Sequence, residues 1–392
     1  MASAVRSTDV VAPPRSVAML RAEQREGRTA LIEPFLATRP SAPAAARLIR
    51  GLTVHVDQTL MRLWEHAYMP RGAALVAVGG YGRAELFPHS DVDVLVLLPT
   101  VAQPAGADGA SPGLFARDDA ASRASVEGFV TACWDIGLEI GSSVRTVEQC
   151  EAEARADVTV QTALLEARFI CGSRRLYEQF RQVTERVLDP LAFLRAKTLE
   201  MQQRHTKYED TPYALEPNCK ESPGGLRDLH VVRWVARAAG LGRNWTEMAA
   251  RGLITPFEAK QLQHNEGVLK LIRARLHTVA GRREDRLVFD LQEAVAESFG
   301  YQGTREHRAS EKLMRRYYWA AKAVTQLNQI LMLNIEEQVN GSQDAPMRPI
   351  NDKFLERSGM LEVASDDLYQ RDPHAILETF LVYQQTIGPK GL

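Results

Sequence analysis

One stretch constrains this chain more than any other: Gly79-Gly80-Tyr81-Gly82-Arg83-Ala84-Glu85-Leu86-Phe87-Pro88-His89-Ser90-Asp91-Val92-Asp93. A short apolar run, Ala74 to Val78, ends at the two glycines. With ten residues between it and Gly80, Asp91 opens a second run that continues to Leu98 and stops at Pro99. Both runs read as strands flanking a glycine turn. Side chains alternate along a strand, so Asp91 and Asp93 share one face while Val92, Val94 and Val96 take the other. Two acids on an otherwise aliphatic strand are costly unless something cationic pairs with them, and a metal is the simplest partner. Two strand steps put their Cα atoms roughly 6.5 to 7 Å apart, so their oxygens can converge on a pair of Mg²⁺ ions about 4 Å apart. Mg²⁺ prefers oxygen donors and keeps substrate phosphates in its shell, so the pattern points to phosphoryl or nucleotidyl transfer.

The neighbouring residues extend that reading. Gly79 and Gly80 lack Cβ atoms and let backbone N–H groups approach a phosphate. Arg83 is expected to pair with phosphate oxygens, and Ser90 to donate a further hydrogen bond beside the acids. A third carboxylate is expected from a neighbouring strand: Glu139 within Gly137-Leu138-Glu139-Ile140-Gly141, or Asp135 in its place. A second constellation, Lys220-Glu221-Ser222-Pro223-Gly224-Gly225-Leu226-Arg227-Asp228, puts a glycine pair and two basic side chains at the start of a helix. Lys220, Gly224, Gly225 and Arg227 are therefore candidates for closing over a nucleotide, against the plainer reading of a Pro-Gly turn. Gly281-Arg282-Arg283-Glu284-Asp285-Arg286 reads as a solvated charged loop, with an acceptor-protein contact as the alternative.

Composition bounds the remainder. The 392 residues carry 48 basic and 49 acidic side chains, so no charge bias toward nucleic acid is present. Four scattered cysteines without zinc spacing read as reduced thiols, which suits a cytoplasmic protein. No apolar run is long enough to predict a membrane span. Residues 1–15 are small, polar and Pro-containing and are expected to be disordered. Helices are expected over Val17 to Leu36, Ala44 to Ala67 and Ala124 to Ile136, with a strand over 137–147 and short helices over 148–168. Thr100 to Ser122 reads as an outward insertion. From Ser173 the pattern is helical, over 173–206, 226–240, 256–280, 288–299 and 304–338, with short helices in the last fifty residues. The domains expected are 16–170, with N-terminal helices and a small sheet; 171–340, helical; and 341–392, a C-terminal helical segment.

Five segments in this order, GGYGRAELFPHSDVDVLVL, DIGLEIGSSVRTVEQC, KESPGGLRDL, LHTVAGRREDRLVFDLQ and GYQGTREHRASEKLMRRYYWAAKAV, resemble the amino-terminal half of the PII uridylyltransferase/uridylyl-removing enzymes. The resemblance implies an α+β architecture: a polymerase-β-like nucleotidyltransferase domain with a small mixed sheet, then a mostly helical domain. It implies transfer of UMP from UTP to a tyrosine of the PII signal protein, with pyrophosphate released and Mg²⁺ or Mn²⁺ as cofactor. Gly79 and Gly80 match that family's phosphate-binding pair, Asp91 and Asp93 its metal ligands, and Glu139 a third. Family members continue into a His-Asp hydrolase domain and two ACT domains. None of the nine histidines here is followed by Asp, so transfer without removal is the expectation. Adenylyl transfer to a protein such as glutamine synthetase, and a non-catalytic PII- or nucleotide-binding module, are the alternatives.

Overall fold

The computed structural model describes residues 16–100, 120–340, 347–357 and 360–386. The expected disordered terminus and nearly all of the expected insertion lie outside the described residues. The chain divides into two compact units, residues 1–328 and 329–392. The sheet and the helices after residue 171 up to Asn328 share the first.

Helix α1 (Val17–Ala37) starts at Ser16 and α2 (Ala42–His66) at Ser41, each serine accepting a backbone N–H of the first turn. Leu48, Leu52, Val56, Leu60 and Leu63 form the buried stripe of α2. There follow β1 (Ala74–Ala77), the one-turn helix α3 (Gly79–Gly82), β2 (Val92–Leu97), α4 (Ala120–Asp135), β3 (Ile140–Arg145), α5 (Val147–Ala156), α6 (Val158–Leu165) and β4 (Arg168–Gly172). The four strands make one mixed sheet in the order β3-β2-β1-β4. β1 is antiparallel to both β2 and β4, and β2 runs parallel to β3. The small mixed sheet followed by helices is the expected fold class.

Leu95 and Leu97 pack with α5 to α7 residues Val147, Cys150, Leu164 and Phe180. Asp93 lies on the same face by alternation, beyond the end of this apolar patch. β4 was not foreseen: its five residues follow the last turn of α6 directly, and only pairing with β1 reveals them as a strand.

The helical body comprises α7 (Arg174–Val187), α8 (Pro190–Lys207), α9 (Leu226–Ala238), α10 (Trp245–Ala250), α11 (Pro256–Ala280), α12 (Phe289–Ser298) and α13 (Ala309–Asn340). The single helix expected over 173–206 is two, because Pro190 fixes a first helical turn and the Asp189 carboxylate caps it through the N–H groups of Leu191 and Ala192. The second unit corrects the expectation of short helices alone. β5 (Arg348–Pro349), β6 (Phe354–Arg357) and β7 (Met360–Val363) form a small antiparallel sheet, with α14 (Leu368–Arg371) and α15 (Ala375–Thr386) after it. Strands of two to four residues are too short for alternation to register.

Within the first unit, Glu85 follows α3 and is buried at 8% exposure among cations from three places. It accepts from Arg83 Nε at 2.9 Å and Lys270 Nζ at 2.8 Å, with Arg233 Nη1 at 3.3 Å and His230 Nε2 at 3.2 Å. Burial opposes its charge, but Lys270, Arg83 and His230 outweigh that and hold the carboxyl well below its ordinary range. The network thereby joins the turn after α3 to α9 and α11. Glu85→Gln keeps the shape but leaves the partly buried Arg83, Arg233 and Lys270 short of an anion. A loss of about 2–4 kcal/mol in unfolding free energy is expected by denaturant titration. A loss below about 0.5 kcal/mol would show the network to be dispensable.

Candidate active site

A cleft of about 270 Å³ lies where the sheet meets the helical body. Gly79, Gly80, Arg83, Ser90, Asp91 and Asp93 line it from the sheet side, and Lys220, Arg227, Arg273 and Arg283 from the helices and loops of the helical body. The turn that carries the glycines is fixed from behind. Tyr81 donates its hydroxyl to Asp57 of α2, and Arg168 of β4 reaches the same carboxylate at 2.8 and 3.0 Å. Gly79 has a φ of +55°, open to glycine at little cost, and the N–H groups at the start of this turn have no carbonyl a turn earlier within the helix.

Asp93 is held between glycines. A Cβ on Gly79 would stand 3.4 Å from Asp93 Oδ2, and one on Gly141 only 2.5 Å from Oδ1. Gly141 is the β3 residue in register with Asp93. Burial raises the Asp93 carboxyl above its ordinary range, and repulsion from Asp91 raises it further; Lys220 and Arg283 offset this only in part. Two adjacent oxygen-donor groups with no soft ligand beside them, one of them strained by repulsion, fit a hard divalent cation.

Glu139 does not join them. It is exposed, one residue before β3, and contributes only its carbonyl, which accepts from the Val92 N–H at 2.9 Å. Neither it nor Asp135, the exposed last residue of α4, lines the cleft. Among the described residues no group of three or more His, Cys, Asp or Glu side chains is arranged to hold a metal ion. The ladder begins at Ile140, and the position next to Asp93 that a third acid would need is Gly141.

Arg83 lines the cleft, but its guanidinium is engaged: Nε bonds Glu85 and Nη1 bonds Glu166 of the α6 C-cap. The expected two-pronged grip on phosphate is therefore taken up by protein carboxylates, and only Nη2 turns toward Gly80. Gly224 and Gly225 are also reassigned. A Cβ on Gly224 (φ +76°) would lie 2.2 Å from the Ala321 carbonyl oxygen, and one on Gly225 2.8 Å from those of Lys220 and Ser222. Both permit close packing of the loop and stand outside the cleft lining. Lys220 and Arg227 do line it, sharing Glu221. Burial and the Arg227 charge lower the Lys220 ammonium from its ordinary value, a crowding that an anion would relieve.

The sequence did not single out Lys197, Glu200, Thr159 and Thr162, which line the cleft from α8 and α6. No local pattern marks them, since only tertiary packing brings those helices together. Arg283 was read as part of a solvated loop, yet its guanidinium is ion-paired with Asp91. Its loop is anchored two residues on, where Asp285 accepts from Arg273 Nε at 2.6 Å and His277 Nε2 at 3.0 Å. The His89 N–H donates to His277 Nδ1 at 3.4 Å, which leaves the His277 ring proton on Nε2 to donate to Asp285. The same chain of contacts thus braces the segment just before Asp91.

Residues 192–332 match the sequence profile of the GlnD PII-uridylyltransferase family, and 354–392 that of the uridylyltransferase GlnD third domain. The bifunctional uridylyltransferase/uridylyl-removing enzyme of Cupriavidus pinatubonensis is 56% identical over 375 residues, 96% of this chain and 41% of that protein. The chain belongs to the GlnD uridylyltransferase family. The enzymes of the same name from Burkholderia orbicola and Ralstonia nicotianae are 53% and 56% identical, over 97% and 88% of this chain. The chain spans about two fifths of the length of these relatives, 41% and 42% in the first two cited.

Asp285 supplies a test of the brace in this GlnD-family cleft. Burial alone would raise its carboxyl, but the His277 hydrogen bond and Arg273 outweigh it and hold the group below the usual carboxylate range. Asp285→Asn is expected to cost about 2–3 kcal/mol at pH 7. A depressed folded-state pKa gives stability that is complete above the unfolded value, about pH 4, and is lost as the pH falls through the folded value. Urea titrations of wild type and variant should therefore converge in acid. A gap that is constant with pH would remove the charge from the explanation.

Proposed function

We propose that this cleft transfers UMP from UTP to a tyrosine hydroxyl of a PII protein and releases pyrophosphate, with Mg²⁺ or Mn²⁺ held by Asp91 and Asp93. The observation that carries the reading is the pairing of these carboxylates beside the Gly79–Gly80 turn, faced by Lys220, Arg227 and Arg283, in a chain of the GlnD family. A bound divalent cation would supply charge neutralisation at the α-phosphate and favour loss of the phenolic proton, whose pKa is about 10 in a free tyrosine. The tyrosine oxygen forms a bond to the α-phosphorus as the bond to the pyrophosphate oxygen breaks. The protein's own part is positioning. The glycine turn admits phosphate to backbone N–H groups, Lys220 and Arg227 face the negative charge, and Asp93 is fixed between Gly79 and Gly141.

The four cysteines are free thiols, which suits the reducing cytoplasm we assign to the reaction. No helix among the described residues is long and apolar enough to cross a membrane. The net charge of -1 gives no support to a nucleic-acid acceptor.

The chain is to be incubated with a PII protein, Mg²⁺ or Mn²⁺, and UTP or ATP labelled at the α-phosphate. Label should reach PII from UTP and not from ATP, and fall by roughly 1000-fold in an Asp91→Asn, Asp93→Asn variant. Label from ATP alone would move the case to adenylyl transfer, and no label with folded protein would leave a binding module. In the same assay Gly141→Ala, whose methyl group would displace the Asp93 carboxylate, should lose about 100-fold with its circular dichroism unchanged. Retained activity would mean that Asp93 tolerates being moved.

A further inference from the structure

Two loops that are remote in sequence meet across the cleft from the acids. The Cys219 N–H donates to the Asp285 carbonyl at 2.7 Å, the Leu287 N–H to the Pro217 carbonyl at 2.9 Å, and Asn218 and Arg286 form a bridge. Lys220 and Arg283 therefore project from one joined scaffold, and both act electrostatically on Asp93. The backbone on either side of Arg283 is fixed, by the left-handed Gly281 at the end of α11 and by partly buried Asp285 with Arg273 and His277. What is free to move is the Arg283 side chain. It is 56% exposed and its partner Asp91 43%, so their ion pair is of the weak, solvent-screened kind that a better ligand displaces readily. Arg282 next to it points elsewhere, to Glu284 at 2.7 Å.

Arg283 thus places a cation on one of the two carboxylates assigned above to the metal. We propose that Arg283 is a positioning residue with two stations: it neutralises Asp91 while the cleft is empty of nucleotide, and moves to the triphosphate when a divalent cation takes its place at Asp91. The exchange keeps charge balanced at both stages. Without the arginine, Asp91 and Asp93 repel each other before the metal arrives; with it, the bare ion competes against a resident guanidinium. A cation delivered together with phosphate does not face that competition, because the phosphate provides the arginine with its new partner. The cleft is in this way biased toward the metal–nucleotide complex over the free metal. This inference rests on the metal-dependent transfer proposed above.

The test uses the full chain and two binding measurements: free Mn²⁺ by electron paramagnetic resonance, and UTP in the presence of Mg²⁺ by calorimetry, both without acceptor protein. Arg283→Gln should bind free Mn²⁺ about two- to fivefold more tightly than wild type, the worth of an exposed ion pair. It should bind UTP with Mg²⁺ roughly tenfold more weakly, the worth of a charge-assisted contact to phosphate. Arg283→Lys should lie between, and Arg282→Gln, which removes the same charge from the same loop, should match wild type in both. Opposite movement of the two affinities is the signature, since a variant that merely disturbs the fold weakens both. Unchanged or weaker Mn²⁺ binding in Arg283→Gln, or unchanged UTP binding, overturns the two-station role while leaving the transfer reading in place. If wild type binds no more Mn²⁺ than the Asp91→Asn, Asp93→Asn variant, the metal reading itself fails and this one with it.

Discussion

The buried carboxylate of Glu85 is the interaction on which the rest of the first unit depends. A lone carboxylate at that depth would be untenable, and here Arg83, Arg233, His230 and Lys270 make it tenable. Because those partners come from the α3 turn, α9 and α11, satisfying one charge fixes three elements. Arg83 carries the network on to Glu166, and the Trp234 indole N–H donates to that second carboxylate. The glycine turn therefore has a rigid back, and its front is free to face a ligand. The cost is that Arg83 is committed to the fold before any substrate appears.

What the sequence disclosed, and what it withheld, follows from the range of the forces involved. Alternation along β2 is local, so the placement of Asp91 and Asp93 at one face is legible, as are α2 and α11 from their apolar spacing. Register between strands is not local. The sequence points to Glu139 for an acid on the neighbouring strand, while the parallel pairing of β2 with β3 brings Gly141 opposite Asp93. A glycine is a weak signal by itself, yet here its missing side chain is what the site requires.

The same distinction separates the two basic motifs. Gly224 and Gly225 are conspicuous in the sequence and serve packing: the Ala321 carbonyl of α13 leaves no room for a Cβ on Gly224, and the loop's own Lys220 and Ser222 carbonyls leave none on Gly225. Arg283 is inconspicuous in a loop dense with charges, and it faces the acids because Asp285, ion-paired with Arg273 and bonded to His277, aims the loop inward. Charge counted along a sequence does not tell a solvated arginine from an aimed one. The anchor two residues away does.

The two acids differ in freedom, and that difference has an entropic meaning. Asp93 is hemmed in by Gly79 and Gly141, so its rotamer is chosen when the sheet forms, and little side-chain entropy remains to be lost on binding a cation. Asp91 lies at the mouth of the cleft, half-exposed and held only by an exchangeable partner. In the proposed metal site, a pair made of one fixed and one adaptable arm would set the direction of approach through the first and tolerate variation in ion size and coordination through the second. A clamp of that kind would be selective in geometry before it is selective in element.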